Sequence, residues 1–335
     1  MCTNFKTPTA IDGTVTVGRS LEFPTLLPTS LAVLPSNHAG ASVVPVGHNS
    51  ALTWTASYGV VGLAAFGNAQ WMLDGMNTAG LSGHLLYMPG FCTYAPAKDD
   101  ATDVSEVDLL AFLLGTCGSV AEVKEAVKSV NVWGYDPGMG FAPPSHFLFH
   151  DTTSSIAIEF RPEGMSVVDN PTGVATNSPF LDWHLVNVNN YVGFSATVDG
   201  PTQIGGQTFK ALGQGEGVRG MPGDYTPPSR FIRALSLVQL ADQPKTSTEA
   251  EQLALHILNT FDIPAGLIKE PGANGEIIDS ITVWDAIANL SELRYAYRTH
   301  SDPTVYVVDL KTTDFTASAR TVELSWAGDF TSVTV

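Results

Sequence analysis

A cysteine stands directly behind the first methionine in Met1-Cys2-Thr3, and a basic and an acidic residue follow in Gly18-Arg19-Ser20-Leu21-Glu22-Phe23. If Met1 is removed, which a small second residue permits, Cys2 carries a thiol and a free α-amine. An α-amine titrates at about 7.7–8.0 and a free thiol at about 8.5, so one residue could supply both nucleophile and general base near neutral pH. Met-Cys alone is a short motif, and the polar residues in unusual company decide its weight. Arg19 ends an apolar strand three positions before Glu22, where an Arg–Glu pair in a mixed core is most often structural. Asn177 and Ser178 precede Pro179, where turn chemistry alone explains the asparagine. Arg230, in Pro227-Pro228-Ser229-Arg230-Phe231, falls at a helix N-terminus, where the macrodipole disfavours a cation and a compensating partner is expected.

Other patterns lead elsewhere. Gly215-Glu-Gly217-Val-Arg-Gly220 fits the dinucleotide fingerprint literally, but it follows no apolar strand and runs into Met221-Pro222-Gly223 instead of a helix. His146 and His150 lie four apart in a strand, about 13 Å from one another at strand rise, too far to share a metal. They read as polar positions at the two ends of that strand. Asn289-Leu-Ser291 is a glycosylation sequon, relevant only in a secreted eukaryotic protein. Cys2, Cys92 and Cys117 are odd in number with no C-x-x-C pair, which argues against a disulfide framework or a structural zinc site. Cys92 and Cys117 read as small buried apolar residues.

The elements that must position these groups change period along the chain. From Thr14 to about Ala65 short apolar runs alternate with turn residues, and a further strand is predicted over Leu81–Met88. Between Asp103 and Val130 the period becomes helical, with Val107, Leu110, Ala111 and Leu114 on one face and Ser119-x-x-Glu122 opening a second helix. Strands resume over Ser145–His150, Ile156–Phe160, Met165–Val168 and Val174–Thr176; helices return at about Ser229–Leu240 and Thr248–Leu258. The last part is strand-rich again, over Ser280–Ala286, Leu293–Arg298, Thr304–Asp309 and Val322–Ser325. Blocks of strands and helix pairs, rather than strict alternation, predict an α+β fold in one domain.

Composition narrows the function. With 44% apolar and 15% charged residues the chain can bury a large core. Sixteen basic against 33 acidic residues give −17 with no offsetting basic cluster, which argues against nucleic-acid or anionic-membrane partners. No run of 18 apolar residues and no leader-like segment precedes Cys2, so the expected location is cytoplasmic, or periplasmic or secreted if a leader has been trimmed.

Five motifs taken together resemble the choloylglycine hydrolases, which include bile salt hydrolases and penicillin V acylases among the N-terminal-nucleophile hydrolases. They are Cys2-Thr3, Gly18-Arg19-x-x-Glu22, Asp74-Gly-Met-Asn77-x-x-Gly80-Leu81, Thr176-Asn-Ser-Pro179 with Asp182-Trp-His184, and Leu212-Gly-Gln-Gly-x-Gly217 followed by Gly220-Met-Pro-Gly-Asp224 and Pro228-Ser-Arg-Phe231. The resemblance implies a four-layer αββα sandwich over residues 2–335, with two antiparallel sheets between helix pairs. It implies hydrolysis of a small acyl amide without metal or cofactor. Cys2 would be the nucleophile, with Arg19 near its sulfur, where a cation favours thiolate. Glu22 would hold the α-amine, and the Asn177 side chain and Tyr87 backbone N–H would receive the oxyanion. Arg230 would support the site electrostatically.

Two positions depart from or select within that pattern. The family usually has Asp where this chain has Glu22. Position 87 is typically Asn in bile salt hydrolases and Tyr in penicillin V acylases, so Tyr87 favours a flat aromatic acyl group. Phe23, Leu26, Phe66, Tyr87 and Phe141 are expected to line the acyl pocket. Conjugated bile acids and acyl-homoserine lactones stay open as substrates. A non-enzymatic acyl-ligand-binding protein is the alternative if Met1 is retained. The segment from about Leu185 to Gly217 resembles the family's subunit contact, which implies a homotetramer.

Overall fold

The computed structural model describes residues 1–24, 27–198, 200–271, 275–329 and 331–332. Two large antiparallel sheets dominate it. The first contains β1 (Cys2–Lys6), β2 (Thr16–Phe23), β10 (Val174–Ala175), β11 (Ile277–Asn289), β12 (Arg294–Thr299) and β13 (Tyr306–Asp309), in the order β10-β1-β2-β11-β12-β13. The second contains β3 (Thr29–Leu34), β4 (Val60–Ala65), β5 (Met72–Asn77), β6 (Ser82–Tyr87), β7 (Ser145–His150), β8 (Ser155–Arg161), β9 (Gly164–Asp169) and β14 (Arg320–Glu323), in the order β9-β8-β7-β6-β5-β4-β3-β14.

Period-two alternation explains the layering. In β4, Val61 and Leu63 join the apolar cluster shared with the first sheet, while Val60 and Ala64 join a separate cluster with α1 (Glu106–Thr116) and α2 (Val120–Ala126). Both faces of the strand are buried, so neither alternation nor polarity marks an outside. Beyond the short α3 (Leu181–Asn187), the helices α4 (Pro227–Leu240) and α5 (Ser247–Leu258) pack against β1, β2 and β11. Helix pair, sheet, sheet and helix pair form the αββα sandwich that the resemblance implies, and the strand and helix blocks of the sequence fall within it.

Some elements differ from the sequence reading. In α1 every residue from Glu106 to Gly115 is buried, not one face alone. The second face is covered by residues 42–56: Asp108 accepts from Val43 N–H at 2.9 Å, and Gly115 lies against Ala56. Helix α4 begins two residues earlier than predicted, with Pro227 and Pro228 in its first turn. His146 and His150 do lie toward the two ends of β7, but both side chains are buried, and Asn289 is buried with its amide bonded to Ser247 and Glu251, so it is no glycan acceptor. The glycine run at 215–220 forms a single 3-10 turn over Glu216–Val218, in keeping with its reading as a glycine-rich loop and not a dinucleotide fingerprint. No helix among the described residues is long and apolar enough to cross a membrane.

The Asp74-Gly-Met-Asn77-x-x-Gly80 motif has a plain structural logic. Asn77 Oδ1 accepts from Ala79 and Leu81, and its Nδ2 donates to the carbonyls of Leu114 and Cys117 at the end of α1. The turn requires φ +84° at Gly80, where a Cβ would also lie 2.7 Å from Leu290 O. One asparagine thus closes a hairpin and satisfies orphan carbonyls of a helix.

Candidate active site

Strand pairing brings the predicted residues together. Cys2 lies opposite Leu21 and Asn4 opposite Arg19 in the β1–β2 ladder. The β2–β11 pairing shifts between Thr282 and Trp284, beside Glu22 and Leu21, so Val283 is an extra residue in β11. Such a bulge re-aims neighbouring side chains, and here the Trp284 ring lies against the Arg19 guanidinium, 4.5 Å from centroid to Cζ. Arg19 is fully buried; its Nη2 lies 3.6 Å from Cys2 Sγ and donates to Leu85 O.

Arg230 is the second buried cation at the site. Its Nη1 donates to Cys2 O and, at 2.9 Å, to Thr3 Oγ1; its Nη2 donates to Asn177 Oδ1 at 2.6 Å, and its Nε to Tyr225 O at 2.9 Å. These acceptors are the compensating partners that a cation near a helix N-terminus requires. Asn177 Oδ1 also accepts from Cys2 N–H at 2.8 Å. With Oδ1 fixed by two donors, Nδ2 is turned toward the 87 strand end, where it donates to Tyr87 O and keeps a second N–H. Burial pushes the His184 imidazole down to about 4; it is neutral and donates from Nε2 to Asn177 O at 3.2 Å while stacking on Phe231.

Tyr87 ends β6. Met88 N–H donates to Pro144 O at 2.6 Å, and donor direction alternates along an antiparallel ladder, so the Tyr87 N–H faces away from β7. The Tyr87 ring meets Phe23 edge to face at 6.1 Å. Both line a cavity of about 70 Å³ that has Cys2 at its wall, together with Leu21, Phe66, Trp71 and Met139. Phe141 does not join them: it is exposed on the same loop, and Met139 takes the place expected of it. Leu26 lies outside the described residues.

The contact expected of Glu22 needs a free Cys2 amine. Met1 is attached, its amine donates to Glu22 O, and Glu22 N–H returns to Met1 O at 2.8 Å. The Glu22 carboxylate accepts from Ser20 Oγ, and its Oε2 has no hydrogen-bond partner among the described residues. With Met1 in place Cys2 N is an uncharged amide with one hydrogen, and Asn177 satisfies it. The charge that would draw Glu22 does not yet exist.

The sequence reading missed Glu106. It is the first residue of α1, where an acid is unremarkable, yet it lines the cavity and is 1% exposed. Tyr135 N–H donates to Oε2 at 2.6 Å, while Oε1 is unpartnered among the described residues. Burial, with Asp108 adding a like charge, pushes its carboxyl up to about 8. Between the ordinary value near 4.3 and about 8 the folded chain therefore holds a proton that the unfolded chain has lost, and stability falls as pH rises through that window. Glu106→Gln is expected to lose less Tm between pH 5 and pH 8 than the wild type, read by thermal melts. Asp285, pushed up to about 7 by burial, has the same sign but is present in both proteins. Equal slopes would contradict the assignment.

Comparison with known proteins follows the same lines. The family model for linear amide C–N hydrolases, choloylglycine hydrolase family, matches residues 2–323. A bile salt hydrolase/transferase of Clostridium perfringens (strain 13 / Type A) is 31% identical over 317 residues, covering 92% of each chain. The penicillin V acylase of Pectobacterium atrosepticum is 25% identical over 287 residues, covering 79% of this chain and 69% of its own. The crystal structure of the mutant C2A conjugated bile acid hydrolase from Clostridium perfringens superposes with a TM-score of 0.86 at 27% identity, covering 100% of both chains.

Proposed function

The chain belongs to the choloylglycine hydrolase family of linear amide C–N hydrolases, and we propose that its N-terminal Cys2, once Met1 is removed, cleaves a phenoxyacetyl-type amide such as penicillin V. The observation that carries this reading is Cys2 Sγ 3.6 Å from Arg19 Nη2, at the wall of a narrow aromatic cavity. The sulfur attacks the amide carbon, and the thiol proton passes to the α-amine and on to the departing amine. A thioester forms as the C–N bond breaks; water then adds to it, releasing the free acid and restoring the thiol. The second Asn177 Nδ2–H and the Tyr87 N–H receive the oxyanion of both tetrahedral intermediates. Arg230 fixes the Cys2 carbonyl and the Asn177 amide, so nucleophile and oxyanion donor share one support.

Removal of Met1 frees Cys2 N as an α-amine whose neutral form takes the thiol proton, and the Glu22 carboxylate on the paired strand, with Oε2 unpartnered among the described residues, is the group that would hold it.

The cavity beside Cys2 is lined almost wholly by apolar and aromatic side chains, among them Phe23, Phe66, Trp71 and Tyr87, a wall that suits a flat aromatic acyl group. The Tyr87–Phe23 pair offers the edge and face such a ring stacks on. The second reading, conjugated bile acids, is favoured by the higher identity to the Clostridium perfringens protein. Kinetics with penicillin V and a glycine-conjugated bile acid in parallel separate the two. Tyr87→Asn is expected to raise the bile acid to penicillin V ratio of kcat/KM at least about tenfold, on the scale of ~1.4 kcal/mol per decade. An unchanged ratio would remove Tyr87 as the selector. A homotetramer belongs to the same proposal: Val186, Val192, Ile204 and Leu212 stand exposed in the segment expected to carry the contact, and light scattering on the purified protein checks it.

A further inference from the structure

Between the two sheets, where apolar packing is the rule, a chain of buried polar groups runs from the nucleophile into the core. Arg19 Nη1 lies 3.6 Å from Asp74 Oδ2, and both side chains are fully buried. The same Oδ2 is 2.6 Å from His84 Nδ1, and Tyr295 Oη donates to Asp74 Oδ1 at 2.6 Å. His84 Nε2 lies 3.1 Å from Ser82 Oγ, and the His84 ring packs on His150, whose Nε2 is 2.7 Å from Asn4 Oδ1 on β1. Residues of β1, β2, β5, β6, β7 and β12 thus meet around one carboxylate. Burial holds the Tyr295 phenol well above its usual range, so it remains a donor, and holds His150 well below its own, so it is neutral.

A buried ion pair is weak evidence for stability, because desolvation offsets the attraction. Its use must be sought in placement. Among the described residues Arg19 otherwise has the Leu85 carbonyl and the Trp284 face to hold it, and its Nε and Nη1 have no hydrogen-bond partner there. Both contacts tolerate rotation about the last side-chain torsions. We propose that Asp74 is a positioning residue for the hydrolysis: clamped by Tyr295 and His84, it fixes the Arg19 guanidinium against Cys2 Sγ. The inference rests on Cys2 being the nucleophile.

The sign of one measurement separates positioning from simple charge. Asp74→Asn removes a negative charge near the thiol. If Arg19 stayed in place, Cys2 would become more easily ionised; if Arg19 is released, the thiol loses its cation and ionises at higher pH. The pH profile of iodoacetamide alkylation, read on the N-terminal peptide by mass spectrometry, is expected to move to higher pH by at least half a unit in Asp74→Asn, with kcat down tenfold or more and KM within about threefold. Cys92 and Cys117, each pushed up to about 11 by burial, do not interfere. A profile that stays or moves to lower pH, with kcat retained, would overturn the proposal. Should Asp74→Asn fail to fold, Tyr295→Phe keeps the Arg19–Asp74 pair but frees Oδ1; it is expected to move the profile in the same direction with a three- to tenfold loss of kcat, and unchanged values would overturn the proposal equally. Alkylation reads the thiol whatever the substrate. An active Cys2→Ala protein would sink the proposed function and with it the role of Asp74 in hydrolysis, whereas an unshifted alkylation profile in an otherwise Cys2-dependent enzyme would sink the role of Asp74 alone.

Discussion

Replacing Cys2 with alanine is expected to lower kcat on penicillin V by on the order of 10⁴-fold or more, with the fold and Tm retained. The magnitude follows from losing the atom that forms the bond, as in other nucleophilic hydrolases. Cys2 is 1% exposed and its backbone carries the important contacts, to Asn177 Oδ1 and Arg230, which alanine preserves. Alanine and serine are also small, so removal of Met1 is not impeded and lost activity is assigned to the side chain. Cys2→Ser keeps a nucleophilic atom with a much higher pKa; it is expected to lie between wild type and Cys2→Ala. Turnover by Cys2→Ala within tenfold of wild type would remove Cys2 from the mechanism.

Asn177→Ala is expected to reduce kcat by about 10²–10³-fold while KM changes little, the signature of a donor that matters in the transition state. Two losses overlap in this variant. The oxyanion loses Nδ2, and Arg230 Nη2 and Cys2 N–H lose the acceptor they share. A buried donor left without a partner costs about 1–3 kcal/mol, so the Tm should fall as well. Asn177→Asp separates the effects: it returns the acceptor to Arg230 but not the donor to the oxyanion. It is expected to regain most of the Tm and none of the rate. Recovery of kcat in Asn177→Asp would show that Asn177 acts only as a scaffold, and initial-rate kinetics with parallel melts decide between the outcomes.

Sequence reading reached different depths at different residues. Cys2 was legible from its place behind Met1, but spacing alone read Arg19 as a structural partner of Glu22, and only the family resemblance set it beside the Cys2 sulfur, where the β1–β2 ladder carries it. Asn177 and Arg230 come from far along the chain, and they too were drawn to Cys2 by the family resemblance alone. Helix α1 concealed its second buried face, because the segment that covers it has little regular structure of its own and no periodicity to announce contact. Glu106 and Asp74 were hidden for another reason. An acidic residue at a helix start, or beside a glycine in a strand, looks ordinary until its environment is known. The partner that fixes Asp74, Tyr295, lies 221 residues away, a separation no local pattern can bridge. Glu22 was legible as a carboxylate at the site, whose side chain accepts from Ser20 while its backbone pairs with Met1.

The account turns on Cys2 being both N-terminal and acylated. Purified protein mixed briefly with penicillin V, quenched in acid and measured by intact and peptide mass spectrometry tests both at once. The expected result is a protein lacking Met1 whose N-terminal peptide gains the mass of one phenoxyacetyl group on Cys2, lost on treatment with hydroxylamine as a thioester should be. Fully active protein that retains Met1, or an acyl group found on any other residue, would contradict it.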